Sequence, residues 1–197
     1  MLEPRPLVLA STSRYRRDLL GRLGLAFECT DPAVEERALA GEAPAATAVR
    51  LAEAKARAAV ARYPHALIIG SDQVASCNGV VLDKPGAHAS AVRQLTMMSG
   101  RTAAFDTAVA LCDARSGTMR SALVPCRVHF RPLSAAQIED YLQREQPYDC
   151  AGSAKSEGLG IALIARIECD DPTALIGLPL IALSGLLQQA GMPVLRG

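Results

Sequence analysis

The chain has 197 residues, 50% apolar and 21% charged, which is enough to bury the core of one large domain or two small lobes. A net charge of +1 and a pI near 7.6 give no overall field that would attract nucleic acid or an anionic membrane. No apolar run approaches the roughly 18 residues of a membrane span, and prolines interrupt the short N-terminal one, unlike a signal peptide. We therefore expect a soluble, cytoplasmic protein.

The first elements predict a strand, a polar turn and a helix. LVLA (7–10) is an apolar run of strand length, and SRYRRDLLGRLG (13–24) follows with leucines at helical spacing and a glycine suited to a helix C-cap. AFEC (26–29) is a candidate second strand. The loop after it carries two adjacent acids, Glu35 and Glu36.

An alanine-rich helix and a strand follow. The helix is predicted from Pro44 to Tyr63, stopped by Pro64, with one apolar face formed by Val49, Ala52, Ala56, Ala59 and Val60. ALIIGSDQVAS then predicts an apolar strand that delivers the carboxylate of Asp72 at its end, where ligands gather in α/β proteins. A turn is expected at Asn78 and Gly79.

The second half alternates in the same way, and the whole chain predicts a mixed α/β protein without a fixed repeat. The pattern predicts a helix over about 87–98, a long hairpin around the turn RSGT, a helix capped by Ser134, a glycine- and serine-rich loop, a strand at IALIARIEC and a final helix at LIALSGLLQQAG.

Cysteine and histidine spacing argues against a structural zinc site. The chain has no CxxC pair and no HxxxH spacing, so we expect the cysteines to be small buried residues in a reducing compartment and the histidines to have no catalytic role. These residues are Cys29, Cys77, Cys112, Cys126, Cys150 and Cys169, with His65, His88 and His129.

The segment STSRYRRDLL is the first of four candidate chemical clusters. Hydroxyls, helix N-terminal amides and guanidinium groups could together hold phosphate oxygens. A capped helix with a solvated basic face explains the same spacing equally well. The residues concerned are Ser11, Ser13, Arg14, Arg16 and Arg17.

The other clusters lie further along the chain. Asp72 with Gln73 could supply a general base or a metal ligand, although a lone aspartate there is more often a turn former. Lys84 in LDKP would lie near Asp72 if the intervening turn folds back as a hairpin. The loop GSAKSEGLG carries Lys155 and Glu157 and could cradle a phosphate, but it matches neither the P-loop nor the dinucleotide pattern.

Several of these motifs, in one order across nearly the whole chain, resemble the Maf family of nucleotide pyrophosphatases, housecleaning enzymes once described as septum-formation inhibitors. The motifs are LASTSRYRRDLLGRLG, the Glu35–Glu36 pair, RLAEAKA, IIGSDQV, LDKP and CAGSAKSEGLGIALIARIECDDPTALIGLPL. The resemblance implies a Maf/ITPase-like α/β fold over 1–197, with a mixed, elongated central sheet, flanking helices and two lobes around a deep cleft.

The resemblance also implies a reaction, hydrolysis of the bond between the α- and β-phosphates of a nucleoside triphosphate. Asp72 matches the proton acceptor, and Glu36 with Asp72 suits a divalent cation, Mg²⁺, Mn²⁺ or Co²⁺, better than any histidine cluster. Fixed positive charge would stabilise the transition state. The residues expected at the phosphates are Ser11, Ser13, Arg16, Arg17, Lys55 and Lys84.

Three residues carry the resemblance to the 7-methyl-GTP pyrophosphatase branch: Tyr15, Gln73 and Glu157. The methylated guanine ring is positively charged, and an aromatic face could hold it by roughly 0.5–2 kcal/mol. Glu157 could accept hydrogen bonds from guanine N1–H and N2–H₂, and Gln73 could adapt to either kind of base edge. Two residues depart from relatives: Arg14 stands where proline is usual, and Tyr15 where this branch more often has tryptophan.

Other functions stay open from sequence. One is a pyrophosphatase for dTTP and UTP, and another is a non-hydrolytic nucleotide-binding regulator of cell division. Binding of single-stranded nucleic acid is disfavoured by the near-neutral charge and by only four tyrosines, three phenylalanines and no tryptophan. The oligomeric state is not fixed by the sequence, and a homodimer is one arrangement it allows.

Overall fold

The computed structural model describes residues 5–195 as a mixed α/β fold, and within that range it has seven strands and five α-helices. Three short 3-10 helices accompany them, at Ala151–Ser153, Leu159–Leu163 and Ala174–Ile176. The main elements are β1 (Leu7–Ala10), α1 (Arg14–Gly21), β2 (Glu28–Thr30), α2 (Pro44–Ala58), β3 (Leu67–Cys77), β4 (Val80–Leu82), α3 (His88–Met98), β5 (Thr102–Asp113), β6 (Thr118–Phe130), α4 (Ala135–Glu145), β7 (Ile164–Glu168) and α5 (Leu180–Gln189).

The strands form one open sheet in the order β2-β1-β3-β5-β6-β7, with β4 added beside β3. β1 runs parallel to β2 and β3, whereas β3 with β4 and β6 with β7 are antiparallel. The predicted α/β class with a mixed central sheet and flanking helices is therefore confirmed. The predicted hairpin is also present, since β5 and β6 are neighbours joined by a short turn.

The chain divides into two compact units. The first contains the described residues up to Gln73, residues 107–124 and those from Asp171 onward, and the second contains 74–106 and 125–170. Whether 1–197 acts as one domain with a cleft stays a prediction.

The core of the first unit lies on one face of its strands. Alternate apolar residues of β1, β3 and β5 point to the same face, where they pack against leucines of α1 and α5. On the other face α2 approaches Gly70 so closely that a Cβ there would lie 2.0 Å from the carbonyl oxygen of Ala52. This approach brings the buried side of α2 next to the middle of β3.

The second unit contains α3, α4 and the predicted tight turn between β3 and β4. Asn78 and Gly79 both have positive φ, 51° and 77°, as a two-residue hairpin of this kind requires. Ser134 caps α4 in a capping box with Gln137, as its sequence predicts. Leucines, Met98, Phe105 and Tyr141 are buried in this unit.

Three element predictions need correction at their ends. The second strand begins at Glu28 instead of residue 26. The helix α2 ends at Ala58, because the following residues form turns with hydrogen bonds from residue i to i−3, such as Val60 N to Arg57 O. Of the predicted apolar face, Val49 on α2 and Val60 beyond its end are only half-buried. The strand predicted at 161–169 covers only Ile164–Glu168, because the residues before it form a 3-10 helix.

The cysteine prediction is wrong for three of the six. Cys126 and Cys169 form a disulfide, which the register explains: Arg127 pairs with Glu168 in antiparallel β6 and β7, so the cysteines are cross-strand neighbours with Cα atoms 4.5 Å apart. Cys29 is exposed, contrary to the expected burial. Cys77 and Cys112 are buried as predicted, and Cys150 is half-buried. No helix within residues 5–195 is long and apolar enough to span a membrane.

Candidate active site

A buried lysine joins two carboxylates in the first unit. The Nζ of Lys55 lies 2.6 Å from Asp72 Oδ1 and 2.5 Å from Glu36 Oε1. Only 2% of the Lys55 side chain is exposed, against 8% for Asp72 and 52% for Glu36. The sequence motifs predicted all three residues, and the structure brings them together.

The position of Lys55 follows from α2. It lies on the buried side of this helix, with Leu51, Ala52 and Ala56, and that side packs against Gly70 of β3. Only glycine permits this close approach of helix and strand. The approach places the ammonium group of Lys55 beside Asp72, which follows Gly70 by two residues in β3. A lysine with a nearly fully buried side chain needs paired charges of this kind.

A second ion pair holds the loop that carries Glu36. Glu42 accepts hydrogen bonds from Arg50 Nε and Nη2, at 2.7 and 2.6 Å, and from Thr47 Oγ1 at 2.9 Å. Arg50 also donates to the carbonyl of Arg37, next to Glu36 in sequence. The hydrogen bond from Arg50 lowers the pKa of Glu42 to about 2. This clamp ties the loop to the first turns of α2.

Asp72 lies in the middle of β3, not at its end as the sequence suggested. The parallel pairing of β1 with β3 runs from Leu7 with Leu67 to Leu9 with Ile69, and β1 ends at Ala10. Asp72 therefore lies beyond the carboxyl end of β1, although β3 itself continues into the hairpin with β4. The carboxyl end that matters for the site is that of the neighbouring strand.

The surroundings of Asp72 raise the pKa of its carboxyl group. Burial is the largest cause, and the charge and hydrogen bond of Lys55 and the charge of Arg16 oppose it. A carboxyl with a raised pKa is a stronger base than an exposed aspartate while its charged form is still supported by two cations.

Arg16 and Arg17 have different environments. Arg16 is half-buried, and its Nε donates to the carbonyl of Gly177 at 2.9 Å. Burial lowers the pKa of Arg16, while the charges of Asp72 and Glu36 raise it. Arg17 is exposed, 3.6 Å from Asp18. Of the two arginines, Arg16 is the one whose charge acts on Asp72.

The serines near β1 cap the first helix. Ser13 is the N-cap of α1 and accepts from Arg16 N at 3.4 Å, and the buried Ser11 accepts from Ser13 N at 3.2 Å. The interpretation as a capped helix is thus confirmed. It leaves the phosphate role of these hydroxyls a prediction.

The ring of Tyr15 contacts a cation of the protein itself, the guanidinium group of Arg14. The guanidinium carbon of Arg14 lies 4.8 Å from the ring centroid, and Arg14 Nη2 donates to the Tyr15 hydroxyl at 2.7 Å. The residue that stands in place of proline therefore contacts the ring that the sequence assigns to the base.

Gln73 lies among partners that the sequence did not indicate. Its side-chain nitrogen donates to Thr107 Oγ1 and to the carbonyls of Ala174 and Leu175. The sequence separations are 34, 101 and 102 residues, so no local pattern could have revealed them.

The segment DDPTALIGLP organises these carbonyls. Asp171 is 2% exposed, and its two oxygens accept from Thr173 and from the backbone N–H groups of Ile181 and Ala182 in the first turn of α5. Because these helix N–H groups lie 10 and 11 residues further along the chain, no local capping pattern could have revealed this role.

Two of the predicted residues belong to the second unit. Lys84 is exposed, just after β4, and the hairpin on which its prediction depends is confirmed. Glu157 is exposed in the GSAKSEGLG loop. In that loop Lys155 pairs with Glu145 at 2.6 Å, and Glu145 also accepts from Leu159 N. Lys155 thus helps to hold the loop in place.

The described residues contain no group of three or more histidine, cysteine or acidic side chains that could hold a metal ion. Glu36 and Asp72 nevertheless fit a cation shared with a substrate, since both carboxylates already face one positive charge, the ammonium of Lys55. Among residues 5–195, the second oxygen of Asp72, Oδ2, makes no hydrogen bond.

This fold and this cluster of buried acid, lysine and arginine are typical of an enzyme that acts on phosphate compounds. The model of the Maf-like protein family matches residues 6–190, and the chain belongs to this family.

Relatives cover nearly the full chain. They include proteins from a Polaromonas species (58% identical, 95% of this chain and 86% of the relative), Cupriavidus pinatubonensis (56%, 95% and 94%) and Methylobacillus flagellatus (55%, 96% and 99%). Each of these relatives is named 7-methyl-GTP pyrophosphatase. The chain is accordingly a nucleotide pyrophosphatase, a hydrolase of acid anhydrides.

Proposed function

We propose that this protein hydrolyses the α–β phosphoanhydride of 7-methyl-GTP, giving 7-methyl-GMP and pyrophosphate. The observation that carries the proposal is the buried Asp72 carboxylate, held at 2.6 Å by Lys55 and acted on by the charge of Arg16, in a chain 54–58% identical to proteins of that name. The biological role would be to keep the modified nucleotide out of nucleic acids, in the cytoplasm.

Asp72 would act as general base. Its Oδ1 is held by Lys55, so the carboxylate has a fixed orientation, and Oδ2 is left to accept a proton from the attacking water. The raised pKa makes it a better base than an exposed aspartate.

Arg16 and Lys55 would stabilise negative charge on the phosphates. The Nε of Arg16 is fixed by the Gly177 carbonyl, and within the described part of the chain its two terminal nitrogens make no hydrogen bonds. A guanidinium group anchored on one side and open on the other suits a pair of phosphate oxygens. Ser11, Ser13 and Lys84 are proposed to add further contacts, on the strength of their sequence motifs.

Glu36 and Asp72 would hold a divalent cation, Mg²⁺, Mn²⁺ or Co²⁺, together with phosphate oxygens. When bound, such an ion neutralises phosphate charge and polarises the bond that breaks. Lys55 contacts both carboxylates and orients them for that purpose.

Tyr15, Gln73 and Glu157 are proposed to recognise the methylated guanine. The methylated base would contact the Tyr15 ring, which Arg14 also contacts. Glu157 would accept from the guanine N–H groups and offset the ring charge.

A panel of nucleotides tests the proposal. The purified protein is incubated with Mg²⁺, Mn²⁺ or Co²⁺ and with 7-methyl-GTP, GTP, dTTP, UTP and CTP, and pyrophosphate release is measured. We expect the highest kcat/KM for 7-methyl-GTP. A clear preference for dTTP or UTP would overturn the substrate, and release from none of the nucleotides would favour the non-hydrolytic regulator.

Two variants test whether the activity measured with the nucleotide panel depends on the residues of the site. Asp72→Asn should lose nearly all activity, because an amide cannot accept the proton of water, and full retention excludes the general-base role. Glu157→Gln should lower kcat/KM for 7-methyl-GTP more than for UTP. The structure of each variant is checked by circular dichroism.

A further inference from the structure

The side-chain amide of Gln73 is held by three acceptors. Its Nε2 donates to Thr107 Oγ1 at 2.9 Å, to the Ala174 carbonyl at 3.0 Å and to the Leu175 carbonyl at 3.1 Å. Thr107 and Ala174 are fully buried, and Gln73 itself is half-buried. The hydrogen-bonding direction of this amide is therefore set by its surroundings.

The orientation of the Gln73 amide, with Nε2 toward this clamp of three acceptors, can be assigned from the groups that surround it. The Thr107 hydroxyl donates to the Ala174 carbonyl at 2.9 Å, so Thr107 Oγ1 is left to accept from Gln73. The two carbonyls can only accept. Turning the amide over would place Gln73 Oε1 against the carbonyl oxygens of Ala174 and Leu175 and would leave the Leu175 carbonyl without its donor from Gln73, which is unfavourable.

The acceptors themselves are fixed in position. Thr107 lies within β5, and the Ala174–Ile176 turn is anchored by Asp171 and Thr173, which bond each other and the first turn of α5. Because Gln73 Nε2 faces these acceptors, its Oε1 faces away from them. In the described part of the chain Oε1 receives no hydrogen bond.

We propose that Thr107 is a positioning residue that fixes Gln73 as a hydrogen-bond acceptor toward the nucleobase. This inference rests on the proposed function, and it corrects the expectation that Gln73 adapts to either base edge. The guanine edge presents two neighbouring donors, N1–H and N2–H₂, whereas uracil presents one donor between two carbonyls. An acceptor held at this place therefore selects guanine, and a freely turning amide would not.

The key variant is Thr107→Val, which keeps the shape of the side chain and removes the hydroxyl. Gln73 then loses one of its three acceptors, and the Ala174 carbonyl loses the hydroxyl that donates to it, so the amide is held less tightly. We expect the ratio of kcat/KM for 7-methyl-GTP over UTP to fall on the order of tenfold, the size expected for one well-placed hydrogen bond. Thr107→Ser, which restores the hydroxyl, should bring the ratio back to within about twofold of the wild type.

A double-mutant cycle separates positioning from packing. If Thr107 acts through Gln73, Thr107→Val should leave the ratio unchanged when it is added to Gln73→Ala. A general packing defect would lower the rates for both nucleotides together and would do so in either background. Should Thr107→Val not fold, Thr107→Ala removes the hydroxyl with a smaller side chain and is tested in the same cycle.

The outcomes distinguish this inference from the proposed function. A wild-type protein that prefers UTP overturns the substrate assignment, and the inference that Thr107 makes residue 73 select guanine falls with it. If the wild type prefers 7-methyl-GTP but folded Thr107→Val keeps the same ratio, the positioning role is overturned and the function stands. A fall in the ratio that needs Gln73 supports both.

Discussion

Arg16 and Arg17 are adjacent in sequence, but the rotation of the helix between them gives their side chains different surroundings. Arg16 is fixed by the Gly177 carbonyl, and its charge acts on Asp72 and Glu36, whereas the Arg17 side chain is 60% exposed. An exposed ion pair at 3.6 Å, such as that of Arg17 with Asp18, contributes little. The sequence RR could not separate the two roles, because both residues match the same motif.

This difference predicts unequal effects of the same substitution. Arg16→Gln should lower kcat/KM about a hundredfold, because a fixed cation near the reacting phosphate is lost. Arg17→Gln, the matched control, should stay within about threefold of the wild type. Steady-state kinetics with 7-methyl-GTP measure both. Equal losses would show that Arg16 has no special place in the site.

At the level of elements, the helix α5 is held by a residue well outside it. Asp171 Oδ2 accepts from Ile181 N at 2.7 Å and from Ala182 N at 3.3 Å, so a buried carboxylate faces the N-terminus of the helix. Its other oxygen accepts from the Thr173 hydroxyl at 2.7 Å. The same residue thus fixes both α5 and the turn whose carbonyls hold Gln73.

Asp171→Asn tests this cap. The amide removes the charge and turns one acceptor into a donor that faces backbone N–H groups, so we expect the free energy of unfolding to fall by about 2 kcal/mol. Urea denaturation at pH 7 measures it. Asp170→Asn changes the exposed neighbour and should leave the unfolding midpoint nearly unchanged. If the two variants are equally stable, Asp171 does not cap α5.

The sequence predicted elements well where the signal is local. The α5 helix, the Ser134 capping box and the Asn78–Gly79 turn follow from neighbouring residues and are confirmed. The sequence predicts Asp72 at the end of a strand, because the strands that pair with β3 cannot be identified from that segment alone. The clamp on Gln73 and the Cys126–Cys169 pair join residues far apart in sequence, so only the folded chain reveals them.

At the scale of the whole molecule, charge is nearly balanced at neutral pH and becomes strongly positive in acid. The chain has 21 lysines and arginines against 20 acidic residues, and three histidines. As carboxylates are protonated, the repulsion among cations grows and opposes the compact state. Carboxylates that hold distant segments together therefore determine how far the pH can fall before the protein unfolds.

Asp113 is such a carboxylate in the first unit. It accepts from Arg5 Nη1 at 3.0 Å and Nη2 at 2.5 Å, joining residues 108 apart in sequence, and also from the backbone of Arg115 and Ser116. These bonds, the one from Arg5 first, lower the pKa of Asp113 to about 2, from an ordinary value of 3.8. The folded protein therefore binds this proton more weakly than the unfolded chain does.

The sign of the pH effect follows from that difference. The stabilisation by Asp113 is fully present above pH 3.8 and is lost as the pH falls through about 2. Asp113→Asn should thus lower the free energy of unfolding at pH 7, and the gap to the wild type should shrink steadily below pH 4. Urea denaturation from pH 7 to pH 2.5 measures the gap, and carboxyl carbon chemical shifts follow the titration. A gap that stays constant over this range would show that the Arg5–Asp113 pair does not contribute to acid stability.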